Sequence, residues 1–270
     1  MIGLPRSTYY RRPKAATSAE ADAPLAAAIT AVRTAFPAYG YRRVTKELRR
    51  RGDHVNHKRV QRVMRTFLAP PSRRRRPIVL AEGFVEDAAI YPNLRAGVEP
   101  SGPNQLWVAD LTYVRVALRF VYLAVVLDVW SRKVVGYAVG PVLDARLPLA
   151  ALDAAVESRQ PVHGCIHHSD RGTQYASRRY REALTVAGLR GSMSRAGNPY
   201  DNAHAESFMK TFKHEEALLT PYLNMDDLLR RLPEYLEHTY NNRRLHSALG
   251  YLPPDEFEAQ HQCVISTVES

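Results

Sequence analysis

From Gln105 onward the chain changes texture, and that change restricts its fold more than any other feature. Leu106–Tyr113, Phe120–Asp128 and Lys133–Val139 are rich in Val, Leu and Tyr and are spaced as strands. The turn at Ser131–Lys133 joins the second and third as a hairpin. Leu147–Ser158 reads as a helix, and Val162–His168 as a short apolar strand that delivers Asp170 at its end. Tyr180–Ala187 is a further helix stopped by Gly188, followed by a strand at Arg190–Ser194. After the turn GNPYDN a long helix runs from Ala203 to Leu218. Three strands, helix, strand, helix, strand, helix is the order of an α/β protein with a five-stranded mixed sheet and an antiparallel start.

Three carboxylates fall at telling places in that order. Asp110 lies in WVADLTY, Asp170 in HHSDRGTQY and Glu206 in GNPYDNAHAESFMK, 60 and 36 positions apart. Asp110 is mid-strand beside Val108 and Leu111, where a carboxylate is costly unless paired or metal-bound. Asp170 follows a strand end, and Glu206 begins a helix whose side chains can face the sheet. Each alone reads as a fold or surface residue; as a set they suit Mg²⁺ or Mn²⁺, hard cations that take oxygen ligands. Two such ions about 3.5–4 Å apart stabilise the attacking and leaving oxygens of a phosphodiester. Asp128 reads as hairpin structure rather than a fourth ligand. His167 and His168 either pack the core or position Asp170 or water.

Charge is unevenly spread. Residues 1–76 hold 19 Lys and Arg against 4 Asp and Glu, whereas residues 77–270 hold 19 against 23. A strongly basic module most often meets a polyanion. Pro24–Ala35 has helical spacing; YGYRRVTKELRRRG then gives a second helix with Val44 and Leu48 one turn apart. Gly52 can end it and Asn56 can cap the next helix, which carries Val60, Val63, Met64 and Phe67 on one face. The pattern is either a helix-turn-helix, with Arg42, Arg43, Lys58 and Arg59 as DNA contacts, or a plain basic hairpin. Arg73, Arg74, Arg75 and Arg76 sit in PPSRRRRP, a linker that touches phosphates or merely tethers. The expected organisation is an irregular arm at 1–23, the helical module at 24–69, a basic linker at 70–104, the sheet domain at 105–219 and a helical extension at 220–270. Two further helices are expected there, at Met225–Asn241 and Pro254–Gln260. Two cysteines make no CxxC pair, and the longest apolar run near Val121–Leu127 is seven residues, so a soluble, cytoplasmic protein without membrane contact is expected.

WVADLTYV, YLAVVLDVWSRKVVGYAV, HHSDRGTQY, GNPYDNAHAESFMKTFKHE and YNNRRLHSALGYLPPDEFE, in this order, resemble bacterial insertion-sequence transposases of the insertion sequence three type, specifically their second-reading-frame product. The resemblance covers most of the chain. It implies a ribonuclease-H-like (integrase catalytic core) fold preceded by a helix-turn-helix, with Asp110, Asp170 and Glu206 as ligands of two Mg²⁺ or Mn²⁺ ions. Lys210 and Lys213, one and two turns after Glu206, are similar to integrase lysines that grip a DNA end. Asn202 builds the turn or touches DNA; Arg243, Arg244 and His246 contact DNA or brace the site. The implied partners are double-stranded DNA, a first-reading-frame protein with a helix-turn-helix and leucine zipper, and further copies of the chain on DNA at the bacterial nucleoid. His54 and His57 lack cysteine partners, so no structural zinc is expected. Two rival readings remain: a DNA-binding protein with a dormant core, and a ribonuclease-H-like nuclease.

Overall fold

The computed structural model describes residues 18–67, 91–195 and 198–268. The chain divides into two compact units, Met1–Arg74 and Arg75–Ser270.

The first unit is three helices, α1 Ser18–Ala35, α2 Tyr41–Arg50 and α3 His57–Phe67. Each contributes a one-turn-spaced apolar stripe: Leu25, Ile29 and Val32, then Val44 and Leu48, then Val60 and Val63, all buried. Gly52, at φ +96°, closes α2, and Asn56 Oδ1 caps α3 by accepting from the Lys58 amide at 2.8 Å. Helix α1 starts six residues before the expected Pro24. The turn ahead of the proline is held from outside: buried Asp22 accepts from Arg59 Nε (2.9 Å) and Arg62 Nη1 (2.6 Å). Arg59, exposed and expected as a DNA contact, also tethers this turn, with Nη2 donating to the Ala21 carbonyl at 2.7 Å.

The second unit is built on five strands, β1 Leu106–Val116, β2 Arg119–Asp128, β3 Val134–Gly140, β4 Ile166–Ser169 and β5 Arg190–Met193, in the order β3-β2-β1-β4-β5. β1, β2 and β3 are antiparallel neighbours; β4 and β5 join parallel to β1. β1 runs three residues past the expected Tyr113, because its pairing with β2 continues to Val116 opposite Arg119. β4 starts later than expected: Val162 is 73% exposed and Gly164 turns at φ +96°.

β1 alternates between two cores. Leu106, Val108, Val114 and Val116 face one side; Trp107 and Ala109 face the other. The second core is roofed by α4 (Arg146–Arg159) and α6 (Arg178–Val186), with the one-turn helix α5 (Thr173–Ala176) before α6. α4 lies so close to β3 that a Cβ at Gly136 would sit 2.3 Å from the Ala151 carbonyl oxygen, so only glycine fits. The first core is roofed by α7 (Ala203–Phe212), which widens into a π-helical turn at Lys213–Ala217. The tail shares that core. Leu228, Leu232, Leu236 and Tyr240, from α8 (Met225–Pro233) and its π-helical continuation to Asn241, pack with Phe208 and Phe212. Asn241 stitches the tail to the sheet edge, bonding the Val134 amide and carbonyl at 2.9 Å each. The last helix, α9 (Pro254–Val268), is fastened by a two-pronged Arg159–Glu258 pair at 2.8 and 2.9 Å.

Candidate active site

Asp110 lies mid-β1 opposite Val125, with the same parity as Val108 and Val114, and so belongs to the sheet face under α7. Its Oδ1 accepts from the Leu111 amide at 2.9 Å. The parallel register pairs Val108 with His168. Asp110 and Asp170 each lie two residues beyond that pair, Asp170 one residue past the end of β4. Neighbouring strands lie about 4.8 Å apart, so the register itself draws these two acids together. Asp170 Oδ1 accepts from the Gly172 amide at 2.9 Å. Burial raises the Asp170 pKa, and the Gly172 bond opposes that only in part.

Glu206 sits in the first turn of α7. The start of that helix is pinned to β1 by Asn202, whose Nδ2 donates to the Ala109 carbonyl at 3.0 Å, one residue from Asp110. The Glu206 carboxylate itself is turned to Lys210, with Oε2 to Nζ at 3.0 Å. Among the described residues no three His, Cys, Asp or Glu side chains are grouped to hold a metal ion. Asp110 and Asp170 therefore follow the same paired stretch of neighbouring strands, with the third acid's helix pinned beside β1, while the third carboxylate points to its own lysine.

The buried histidines near the acids are held neutral. His167 touches the Tyr180 hydroxyl at 3.1 Å, and burial pushes its pKa down to about 4. His168 bridges Ser192 Oγ (2.8 Å) and Ser194 Oγ (3.0 Å), tying β4 to β5 and to the residue just past its end; burial, then the His168 ring's exposure to the Arg95 charge, lowers it to about 4. Asp128 closes the β2–β3 turn, accepting from the amides of Asn104, Trp130 and Ser131, a structural role as its place in the hairpin suggests.

Comparison with known proteins decides the family. Residues 100–199 and 187–254 each match the family described as integrase core domain, and residues 19–76 match an HTH-like domain. A 31 kDa protein of insertion element IS600 from Shigella sonnei is 37% identical over 268 residues, covering 97% of this chain and 98% of that one. Transposase InsF for insertion sequence IS3A of Escherichia coli is 38% identical over 224 residues, 82% of this chain and 76% of that one. The chain belongs to the insertion-sequence transposases, of the insertion sequence three type. Its sheet order and flanking helices are those of the ribonuclease-H-like integrase core. The HTLV-2 integrase catalytic core domain in complex with magnesium is similar at 16% identity and TM-score 0.45, over 59% of this chain and 99% of that one. Among the described residues no helix is long and apolar enough to cross a membrane.

The other expected site residues of this transposase divide by exposure. Lys210 stands in solvent apart from its Glu206 pair, and Lys213 lies over the Tyr113 ring at 4.6 Å, on β1. Arg42 and Lys58 are exposed; the guanidiniums of Arg42 and Arg43 sit over the Tyr41 and Tyr39 rings at 5.1 and 5.5 Å. Arg243 is exposed. Arg73, Arg74, Arg75 and Arg76 lie outside the described residues. Two expected DNA contacts are corrected. Asn202 is buried and serves as the α7 pin, its Oδ1 without a hydrogen-bond partner. Arg244 is buried in a two-pronged pair with Glu215 (2.6 and 2.7 Å) and lies over the Tyr240 ring, so it braces the tail against α7. His246 is buried against Tyr240 as well. The sequence reading missed Arg95, Arg132 and His204. Arg95 Nη2 meets His204 Nδ1 at 2.6 Å across 109 positions, a pairing that no spacing or motif announces.

Proposed function

We propose that this transposase cuts and joins DNA strands, with Asp110, Asp170 and Glu206 as ligands for one or two divalent cations, Mg²⁺ or Mn²⁺. The observation that supports the reading is the β1–β4 register, which pairs Val108 with His168, two residues before Asp110 and Asp170, beside a helix pinned to the Ala109 carbonyl. The donor set suits hard cations, being all carboxylate oxygen. Asp170 is a half-buried carboxylate with a raised pKa and, among the described residues, no cationic side chain among its hydrogen-bond partners, which calls for positive charge. Bound cations supply charge neutralisation at the attacking and leaving oxygens of a phosphodiester.

The chain's own residues do the rest. Lys210 holds Glu206 until the carboxylate is needed, and then offers its ammonium to a DNA phosphate. The helical unit, with Arg42 and Lys58 in solvent and Arg43 half-exposed beside them, provides the nonspecific grip on duplex DNA. The proposed partners are the ends of an insertion sequence, a target duplex, further copies of the chain and a first-reading-frame protein, meeting at the nucleoid in the cytoplasm.

The test is strand cleavage and joining on labelled element ends, wild type beside Glu206→Gln, which keeps the shape and removes the charge. Equal rates in the two overturn the assignment. The Glu206–Lys210 pair favours one rival, a DNA-binding protein with a dormant core; it predicts tight binding without cleavage in Mg²⁺ or Mn²⁺. A generic nuclease would cut random duplex as readily as defined ends.

A further inference from the structure

Near the start of α7, one group of half-buried cations makes no salt bridge among the described residues. Arg95 donates from Nη2 to His204 Nδ1 at 2.6 Å, in the first turn of α7, while its Nη1 is buried without a hydrogen-bond partner. Arg132, in the β2–β3 turn at φ +63°, is half-buried and makes no hydrogen bond or ion pair among the described residues. Its charge is felt at both Arg95 and His204, which puts the three in one neighbourhood. Asp201 is the carboxylate whose charge reaches Arg95, and it is already bridged by both oxygens to Arg195 at 3.0 Å.

Two guanidiniums partly withdrawn from water, near one another and without a free anion among the described residues, form an arrangement that is costly unless an anion completes it. The guanidinium fork matches the paired oxygens of a phosphate. Arginine only donates, so His204 Nδ1 is the acceptor in its bond to Arg95 and Nε2 carries the remaining hydrogen. That bond fixes the Arg95 plane. The positive end of the α7 dipole adds to the same field.

We infer that Arg95 and Arg132, with His204 orienting the first, bind one backbone phosphate of the DNA strand presented to Glu206. The site rests on the DNA reading proposed above, and it lies two residues before Glu206 on the same helix. It holds the duplex by a phosphodiester and reads no base.

The experiment is equilibrium binding of a labelled duplex end in which single phosphates are replaced, one at a time, by neutral methylphosphonates. Wild type is compared with Arg132→Gln, Arg95→Gln and Arg132→Lys. Arg132→Gln is expected to bind about tenfold more weakly, the scale of one lost charge-assisted hydrogen bond. Its log–log salt slope should fall by about one. One methylphosphonate that weakens wild type should have no further effect in Arg132→Gln or Arg95→Gln, and Arg132→Lys should recover the slope. If Arg132→Gln does not fold by circular dichroism, Arg95→Gln carries the same comparison. The inference is overturned if every methylphosphonate weakens the variants as much as wild type. Competition by inorganic phosphate at the pocket, with no such position, would assign it to free phosphate and overturn it equally. The two readings fail separately. Wild type that binds but never cuts sinks the catalytic proposal alone; wild type that cuts, with an unchanged methylphosphonate pattern in the variants, sinks the pocket alone.

Discussion

Two sets of arginines, one in each unit, are used in opposite ways. In the helical unit Arg42 and Arg65 stand in solvent, and the helices meet through apolar stripes such as Ile29, Val44 and Val60. In the sheet unit Arg159, Arg231 and Arg244 are drawn inward and joined to Glu258, Glu216 and Glu215. The first arrangement leaves charge free for a polyanion and adds little to stability; the second uses charge to hold the tail helices on the sheet. Residue type is the same in both. The two differ in whether a carboxylate waits at the place where the side chain is buried.

That contrast can be broken at several points. The largest effect is expected in the chemistry: Glu206→Gln should lower strand cleavage by at least about a hundredfold, since even residues behind a metal ligand are worth 10–100-fold. DNA affinity measured by anisotropy should stay near wild type; a parallel loss of binding would show that the acid serves the grip and not the reaction. Next, Arg244→Ala should destabilise the sheet unit by about 3–5 kcal/mol in urea unfolding, because it strands the Glu215 carboxylate beside a buried ring. A loss under about 1 kcal/mol would place Arg244 with the surface arginines.

The third effect is on pH. The unfolded chain binds a proton at His167 below about 6.5, while the folded protein resists until about 4. The folded state therefore binds fewer protons in that window, and stability falls as pH drops from 6.5 to 4. The slope is about 1.4 kcal/mol per pH unit for one such histidine. Urea midpoints across the window should show it, and His167→Gln should remove about one proton from the slope. An unchanged slope would mean that His167 is protonated inside the fold. The smallest effect separates binding from folding: Arg42→Gln and Lys58→Gln should each shift stability by no more than about 0.5 kcal/mol. Each should still lower the salt dependence of DNA binding by about one. A thermal melt with a large shift would show that these cations brace the helices instead.

Much of the architecture was legible because it rests on local signals. Runs rich in Val, Leu and Tyr mark β1 to β3, Gly188 stops α6 on schedule, and Gly52 and Asn56 punctuate the helical unit by their own backbone preferences. The misreadings share a cause. Pro24 argued for a helix start, yet Asp22 is anchored by Arg59 and Arg62, about 40 positions away, and the helix begins earlier. Residues from 220 onward read as an extension because their apolar spacing says only that they are helical. It does not say that Leu228 and Leu236 complete the core under α7. Arg244 and Asn202 looked like surface contacts because both residue types usually are, and only burial shows otherwise.

By itself the sequence determined the order of strands and helices, the basic character of the first quarter and the places of three acids, mid-strand, past a strand end and at a helix start. Those properties follow from side-chain periodicity, from charge counted along the chain and from motif order, none of which needs a third dimension. Tertiary structure alone decided which cations remain free. Among the described residues Arg95 and Arg132 make no salt bridge, Arg244 makes one, and Glu206 is claimed by Lys210. The reason is that Coulomb and desolvation energies depend on distance and burial, and both are set by chain segments that meet only when the sheet closes.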